Sequence, residues 1–438
     1  MVSIDARTRR RSDVRALSAD EVVAERLPEL VGAHGKIAAA GVRVLGTGAL
    51  DVTVADQRFS LTTDGDALVV SAGAHEGALA VSMDEDALSD VLQDLSSLAW
   101  ASMMGRLRIG NGSLEDLARW DPILRALRDG EPASAPGPPD VRDRHGSPLD
   151  LRQGFRLDDD PDDIGHFLAQ AGYLHLRGVF TADEMAAVSS ELDAAIAEAE
   201  RDDGQSWWAR TEDGWYPARI LGFNRKSSTL RELLRSPRFL ALTSFVGDEL
   251  VQGNVDESDM AEGLLKKVGV LEGISDVSWH KDCGPGGHSY GCSGLTVGIQ
   301  VTGADRHTGE LGVMAASNRA NIPGLHIADD FGLPRVSLPT EVGDCTIHCS
   351  CTMHRAARPR RSNGASSTPG SPWRRSPMRR DSDRARPCDG STGRRSTDSG
   401  AGRRAGRRST ASSFPADPAG RPFTEAALGE SAVDWCRR

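Results

Sequence analysis

The sequence lacks several features that would place it in a defined class. No run of 18 apolar residues occurs in its 438 residues, so no transmembrane helix is expected. The first 21 residues carry charge but no apolar segment, which argues against a secretory signal. Seven cysteines, an odd number at irregular spacing, do not suggest a disulfide framework. We therefore expect a cytoplasmic protein.

Basic residues are scarce through most of the chain and concentrated at one end. Residues 361–438 contain 16 arginines, no lysine and eight acidic residues, although the whole chain has a net charge of −11. The remaining residues therefore carry a charge of −19, which opposes binding to nucleic acid. Aromatic residues are not interleaved with the arginines, as they are in single-strand binders. We expect no nucleic-acid partner.

Residues 20–132 predict one α+β domain. Residues 50–73 alternate apolar and polar side chains and contain a turn signal, which is typical of antiparallel strands. Residues 83–105 carry apolar side chains at helical spacing. Residues 106–127 predict a short strand, a turn and a closing helix, with Ser113 as its N-cap.

This domain resembles the sterol-carrier-protein-2 family over roughly residues 20–130. The likeness lies in an acidic helix, the stretch MMGRLRIGNG at 103–112 and a terminal helix. It implies an apolar tunnel that holds a fatty acyl chain or a sterol. The alternative is an ordinary α+β core in which Met103, Met104 and Leu107 pack.

A second domain, residues 153–360, follows a linker at 133–152 that is rich in Pro, Gly and Ser. Its entry, residues 163–200, predicts helix, strand and helix, with a capping signal at Thr181. The next segment looks like a loop that contains Trp207, Trp208 and Trp215. These tryptophans would either line a substrate entrance or pack against the domain.

The chemistry-bearing residues lie in two stretches. In WHKD at 279–282, His280 and Asp282 are two residues apart and share one face of a strand. A strand-like run after a Gly-Asp turn leads to His354. Two histidines and a carboxylate on adjacent strands form the facial triad of non-haem Fe(II) oxygenases, which leaves coordination positions open. His348 has the same strand parity as His354 and is an alternative third ligand.

These stretches, with QAGYLHLRGVF at 170–180 and VGIQVTGAD at 297–305, resemble the phytanoyl-CoA dioxygenase family over roughly residues 155–358. The resemblance implies a double-stranded β-helix, or jelly roll, that binds Fe(II) and 2-oxoglutarate. It matches His280 and Asp282 to the first two iron ligands. It places the third at His354, with His348 in a supporting position.

The resemblance also suggests residues for the co-substrate. Lys266 or Lys267 would reach a 2-oxoglutarate carboxylate, with a solvated surface lysine as the alternative, and Gln300 would face the barrel interior. The pair Cys349 and Cys351 could instead suggest a zinc site. These cysteines point away from the face of His354 and no second pair exists in the sequence, so we do not expect structural zinc.

The C-terminal segment, residues 361–438, departs from the family pattern. The family has an arginine for the far carboxylate of 2-oxoglutarate about one strand after the last ligand, and then a closing strand. Here few aliphatic residues follow, so we expect a disordered tail without that strand. We interpret it as a frameshift near residue 361. Arg361, with Arg358 and Arg360, is the nearest substitute for the missing guanidinium.

The sequence thus predicts an α+β protein, with a sterol-carrier-like domain followed by a jelly roll with flanking helices and a disordered tail. Its predicted function is hydroxylation of a lipidic or other apolar small molecule with O₂, Fe(II) and 2-oxoglutarate. The alternative is a non-catalytic lipid carrier with a degenerate dioxygenase domain.

Overall fold

The computed structural model describes residues 14–135, 137, 139–246, 250–252, 254–257, 260–273, 277–283, 294–325, 331–360 and 433–437. Within these residues, no helix combines the length and the apolar character needed to span a membrane.

The N-terminal part contains a five-stranded sheet in the order β3-β2-β1-β4-β5. Strands β1 and β4 are parallel, and the other neighbours are antiparallel. The predicted strands at 50–73 are confirmed, with Gly65 in the left-handed conformation of the turn at φ 59°. The strands are β1 (Leu50–Val54), β2 (Gln57–Asp64), β3 (Ala67–Ala72), β4 (Leu79–Met83) and β5 (Leu107–Asn111).

Helices complete this part of the chain. A π-helical segment, Val22–Arg26, joins the first two of them. The N-cap predicted at Ser113 is confirmed as a capping box with Asp116. The helices are α1 (Ala19–Glu21), α2 (Leu27–Leu45), α3 (Glu85–Leu92), α4 (Leu98–Met103) and α5 (Leu114–Asp129).

The helix predicted at 83–105 is in fact two helices, α3 and α4. Asp94 separates them with a left-handed φ of 62°. Its buried carboxylate accepts a hydrogen bond from Arg125 at 3.1 Å and another from Arg128. Periodicity could not predict this break, because the two arginines come from α5, about 30 residues later in the chain.

The core of the N-terminal part contains a small apolar cavity. Its volume is about 20 Å³, which is room for about one water molecule. The cavity is lined by Leu27, Leu50, Val52, Phe59, Leu61, Met83, Leu88, Val91, Leu92, Leu98 and Leu124. A long acyl chain needs many times this volume, so this cavity does not accommodate one as it stands.

The second part is built on two facing sheets. One has four strands in the order β11-β16-β13-β14, and the other has five in the order β6-β15-β12-β17-β9. This agrees with the expected jelly roll with flanking helices. The strands are β6 (Tyr173–Leu176), β9 (Leu250–Gln252), β11 (Val277–His280), β12 (Leu295–Ile299), β13 (Leu311–Met314), β14 (Arg335–Leu338), β15 (Cys345–Cys349), β16 (His354–Ala356) and β17 (Val433–Arg437).

Helices cover the outer face of the five-stranded sheet. The helix–strand–helix entry is confirmed, and Thr181 with Glu184 forms a capping box. Phe167 and Leu168 pack in one core with Leu174 and Ile347 of the sheet. The helices are α6 (Pro161–Ala171), α7 (Ala182–Glu198), α8 (Phe223–Lys226), α9 (Ser228–Leu234) and α10 (Pro237–Leu240), with a 3-10 turn at Ala241–Phe245.

The tryptophan-rich segment is a β-hairpin, so its prediction as a loop is wrong. Strand β7 (Ser206–Thr211) pairs with β8 (Gly214–Ile220), and β8 also pairs with β10 (Gly263–Leu264). Three half-buried indoles lie on this hairpin. Guanidinium groups cover two of them, Arg219 at 4.8 Å from Trp207 and Arg201 at 4.0 Å from Trp215. Packing against guanidinium groups therefore accounts for Trp207 and Trp215.

The start of the predicted linker, 133–152, is packed against the second part. Ala133 is buried. The backbone N–H of Ser134 donates to the Asn321 carbonyl at 2.9 Å, and the Ser134 hydroxyl accepts from the backbone N–H of Asn321 at 2.9 Å. The N-terminal core also contains four side chains from beyond residue 300, namely Met314, Ile322, Phe331 and Met353. The two parts therefore share one apolar core.

Residues 361–432 and 438, most of the predicted tail, lie outside the described residues. The expectation that the tail supplies no strand is wrong at β17, whose backbone pairs with both β12 and β9. The sequence VDWCR contains a β-branched and an aromatic residue, types that are enriched in strands. The low aliphatic content of the whole tail concealed this short pattern.

Candidate metal centre

Strand pairing brings the two predicted histidines together. His280 ends β11 and His354 begins β16, and the antiparallel register places these two residues opposite each other. A register shift lies between Val277 and His280, so the strand is bulged just before the histidine. Asp282 follows two residues later. The pair His280 and Asp282 therefore lies beside His354 of the neighbouring strand.

The side chains converge on one point. The Nε2 atom of His280 is 3.3 Å from Oδ1 of Asp282, and the Nε2 atom of His354 is 3.5 Å from the same oxygen. Ligand atoms of all three residues lie within 4.8 Å of one another. Donors about 2.1 Å from an ion at right angles to each other are about 3 Å apart. The cluster is thus close to the size of one face of an octahedron.

Backbone carbonyls fix the orientation of both rings. Nδ1 of His280 lies 2.8 Å from the Ser278 carbonyl oxygen, and Nδ1 of His354 lies 3.0 Å from that of Thr352. A carbonyl can only accept, so each Nδ1 carries the proton and each Nε2 presents a lone pair to the cluster. This is the second contact that metal-binding histidines usually make.

Asp282 is held by a residue that the sequence analysis missed. The hydroxyl of Thr296, on β12, donates to Oδ2 of Asp282 at 2.9 Å and leaves Oδ1 directed at the imidazoles. Thr296 is opposite His348 in the β12–β15 pairing, so both face the barrel interior. Its only signal in the sequence was its parity with Gln300, the residue directly after β12, and parity alone does not identify Asp282 as its partner.

Burial and neighbouring charges set the protonation of the cluster. Burial lowers the pKa of His354 well below its ordinary value, and the adjacent His348 lowers it further. Burial also opposes the charge on Asp282, but the imidazoles of His354 and His280 outweigh it and hold its pKa below the usual range. At neutral pH the cluster therefore combines an ionised carboxylate with a neutral imidazole, the forms that bind a metal.

The donor atoms fit a cation. Oδ1 of Asp282 and Nε2 of His354 are buried and accept no hydrogen bond from the described residues. Leaving such atoms without a partner costs about 1–3 kcal/mol each. Two imidazole nitrogens and one carboxylate oxygen that leave further positions open are the donor set of non-haem Fe(II) sites.

His348 lies behind His354 rather than within the cluster. The ring centroids of His348 and His354 are 3.9 Å apart, and His348 is buried on β15. Its Nδ1 lies 3.3 Å from the Cys349 carbonyl oxygen. The group of donors that could hold a metal comprises His280, Asp282 and His354 within the described residues, without His348.

The residues predicted for the co-substrate are not brought together at one point. Lys266 donates its ammonium to the Gly309 carbonyl at 2.7 Å. Gln300 faces Thr346, with 3.5 Å between its Nε2 and the hydroxyl. Arg361 lies outside the described residues. Arg358 and Arg360 are exposed.

Lys281, between the two ligand candidates, is another residue that the sequence analysis missed. Its side chain is fully buried, and its ammonium donates to the carbonyls of Ser317 at 2.7 Å and Ala320 at 2.9 Å. Its backbone N–H donates to Gly324. These hydrogen bonds connect the segment that carries His280 and Asp282 to the turn at 317–324. Alternation along the strand was the signal, since residue 281 must point away from residues 280 and 282.

The second part of the chain matches a known protein family. Residues 168–365 match the profile of the family described as Phytanoyl-CoA dioxygenase (PhyH). We refer to the described part of this range as the PhyH domain, after the profile that it matches. The match includes His280, Asp282 and His354 and ends close to residue 361, where the sequence departs from the expected pattern. No curated protein matches the chain significantly.

Several solved structures are similar to parts of this chain. The non-heme alpha ketoglutarate dependent epimerase SnoN from nogalamycin biosynthesis has 22% identity and a TM-score of 0.36, over 45% of this chain and 74% of SnoN. AviO1 from Streptomyces viridochromogenes Tue57 has 19% identity and a TM-score of 0.38, over 47% and 90%. EctD from S. alaskensis, with 2-oxoglutarate and 5-hydroxyectoine, has 19% identity and a TM-score of 0.38, over 50% and 78%.

The family match and the donor atoms of the cluster both indicate iron as a cofactor. The PhyH match indicates oxygenase-type chemistry that depends on iron and 2-oxoglutarate. The His–Asp–His cluster suits Fe(II). The predicted cofactors, Fe(II) and 2-oxoglutarate, are therefore confirmed.

Proposed function

We propose that the PhyH domain is a 2-oxoglutarate-dependent dioxygenase whose Fe(II) is held by His280, Asp282 and His354. The observation that carries this proposal is the convergence of the three side chains within 4.8 Å at the junction of β11 and β16. When bound, Fe(II) with 2-oxoglutarate and O₂ supplies the oxidation of a substrate C–H bond, and 2-oxoglutarate is converted to succinate and CO₂.

The protein's own residues have separate tasks in this proposal. The Ser278 and Thr352 carbonyls hold the histidine rings so that Nε2 faces the ion. Thr296 fixes the carboxylate so that one oxygen coordinates and the other stays hydrogen-bonded. The barrel wall around these groups excludes water from the reacting centre.

The co-substrate would lie along the inner face of the five-stranded sheet. Gln300 and Thr346 offer an amide and a hydroxyl there, on neighbouring strands beyond Thr296. Lys266 would reach a carboxylate of 2-oxoglutarate only by leaving the Gly309 carbonyl. A guanidinium from Arg361 remains the expectation taken from the sequence. We expect Gln300→Ala to raise the Kd for 2-oxoglutarate several-fold while Fe(II) affinity changes little.

Anaerobic titration tests the proposal. The full chain, titrated with Fe(II) and then 2-oxoglutarate, should develop the weak visible charge-transfer band of such complexes. His354→Ala should abolish Fe(II) binding, and His348→Ala should weaken it by no more than about tenfold, because His348 only supports the ring of His354. His145→Ala, at an exposed surface histidine, is the matched control. Equal losses at His348 and His354 would transfer the ligand role to His348.

The finer proposal is that the substrate is lipidic or otherwise apolar and that residues 20–132 are a sterol-carrier-like domain. Its support is the apolar lining of the N-terminal cavity. The helices would have to part before an acyl chain entered, because the cavity holds about one water. Succinate formation should rise with acyl or sterol compounds and not with zwitterionic ones. Saturable fatty-acid binding without Fe(II) or 2-oxoglutarate binding would favour the carrier alternative.

A further inference from the structure

Two buried thiols face each other beside the cluster. The Sγ atoms of Cys283 and Cys351 are 2.8 Å apart. Cys283 is 9% exposed and Cys351 is fully buried. Cys283 directly follows Asp282, and Cys351 is three residues before His354. The thiol pair therefore connects the two segments that together carry all three donors.

The backbone around the pair is already aligned. The N–H of Cys283 donates to the Ser350 carbonyl at 3.2 Å, and the N–H of Ser350 donates to the Gly294 carbonyl at 2.8 Å. A disulfide bond is about 2.05 Å long, so the sulfur atoms need to approach by less than about 1 Å. The two sulfur atoms therefore already lie close to bonding distance.

The other described cysteines of this region are placed differently. Cys345 and Cys349 are buried in the apolar core between the five-stranded sheet and its helices. Burial raises the pKa of the Cys345 thiol well above its ordinary value, so this thiol is unreactive. Cys345 and Cys349 provide matched controls, because both are buried cysteines of β15 that lie outside the facing pair.

We propose that Cys283 and Cys351 are a redox modification site that forms a reversible disulfide. The oxidant is a peroxide: two thiols and one hydrogen peroxide give one disulfide and two water molecules, as the O–O bond breaks and the S–S bond forms. A small dithiol reverses the step by thiol–disulfide exchange through a mixed disulfide. Disulfides of this reversible kind are those found in reducing compartments.

The disulfide would tie the Asp282 segment to the segment that leads into His354. It links residues 68 apart in the chain, and closing so long a loop restricts the unfolded state strongly. Release of a metal requires the carboxylate and the imidazole to separate, which the link resists. Formation of the disulfide is independent of the proposed function, whereas its effect on metal release rests on it.

The disulfide is tested on the full, metal-free chain treated with hydrogen peroxide. Two thiols per chain should disappear, peptide mapping should find Cys283 joined to Cys351, and Tm should rise by about 5 °C or more. Cys283→Ser and Cys351→Ser should abolish all three effects, while Cys345→Ser and Cys349→Ser should retain them. Two intact thiols at 283 and 351, or a link from either of them to Cys292, would overturn the proposal.

Metal release is measured separately, with Co(II) in place of Fe(II) and a chelator in excess. Oxidation with peroxide before metal loading should slow the release at least about tenfold in the unmodified chain and leave Cys283→Ser unchanged. Equal release rates from the oxidised and reduced chains would overturn the stabilising effect on the site. If the reduced chain bound no Co(II) while the disulfide formed as mapped, the metal proposal would fail and the modification site would stand.

Discussion

At the scale of single residues, the ammonium of Lys281 is a structural feature of the PhyH domain. A charged side chain buried to this degree needs acceptors, and it finds them in the carbonyls of Ser317 and Ala320. His280 and Asp282 are its direct neighbours in the chain, so a displacement of the Lys281 backbone would also displace theirs. We regard it as a positioning residue.

We expect Lys281→Met to lower the free energy of unfolding by about 2–3 kcal/mol, because two buried carbonyls lose a charged donor. The affinity for Co(II) should fall several-fold in the same variant. Urea unfolding and competition with a chelator measure the two effects. Lys226→Met, at an exposed lysine, is the control and should change neither. An unchanged Co(II) affinity in Lys281→Met would show that this ammonium does not position the donors.

At the scale of elements, Asp344 joins β6 to the turn before β15. Its carboxylate accepts hydrogen bonds from His175 Nε2 at 2.8 Å and from the backbone N–H groups of Gly178 and Glu341, each at 2.9 Å. Burial opposes its charge, but these hydrogen bonds outweigh burial and lower its pKa. Gly343, at φ 85°, makes the turn that the sequence predicted.

We expect Asp344→Asn to destabilise the protein by about 1–3 kcal/mol at pH 7, since an amide cannot replace a carboxylate that accepts three donors. The folded pKa lies below the unfolded value, so the contribution is complete above about pH 4 and is lost as the pH falls through the folded pKa. Urea unfolding at pH 7 and below pH 4 should therefore show a shrinking difference between variant and parent. Asp158→Asn, at an exposed site, is the control.

Elements defined by local rules were predictable from the sequence, and those that depend on distant partners were not. The strands at 50–73 follow from alternation, and the capping boxes at Ser113 and Thr181 follow from spacing. The break at Asp94 depends on arginines of a later helix. The convergence of His280 and Asp282 with His354 was expected from the i, i+2 spacing of the first two and from the family resemblance for the third. Thr296 could not, because only the fold makes it the neighbour of Asp282.

At the scale of the whole molecule, the N-terminal part and the PhyH domain are joined by a shared core and by Asn321. The Asn321 amide donates to the carbonyls of Pro122 and Glu131, each at 3.2 Å, and to that of Pro132 at 3.4 Å. Asn321 belongs to the same turn that holds Lys281. Contacts therefore run continuously from the N-terminal core to the donor cluster.

We expect Asn321→Ala to divide thermal unfolding into two transitions, because the amide that donates to the carbonyls of the N-terminal part is lost. Differential scanning calorimetry on the full chain measures this. Asn318→Ala is the matched control, since Asn318 lies in the same turn but donates to Ala169 of α6. It should lower Tm without dividing the transition. A single transition in Asn321→Ala would mean that the shared apolar core alone couples the two parts.

The shared core has a consequence for anyone who recombines this chain with others. A chimaera that keeps the PhyH domain but exchanges the N-terminal residues would expose Met314, Ile322, Phe331 and Met353 to solvent. Met353 is the residue before His354, so a poorly matched graft would disturb the strand that carries a ligand. Successful transplants should therefore treat these four side chains as part of the N-terminal module and carry them along with it.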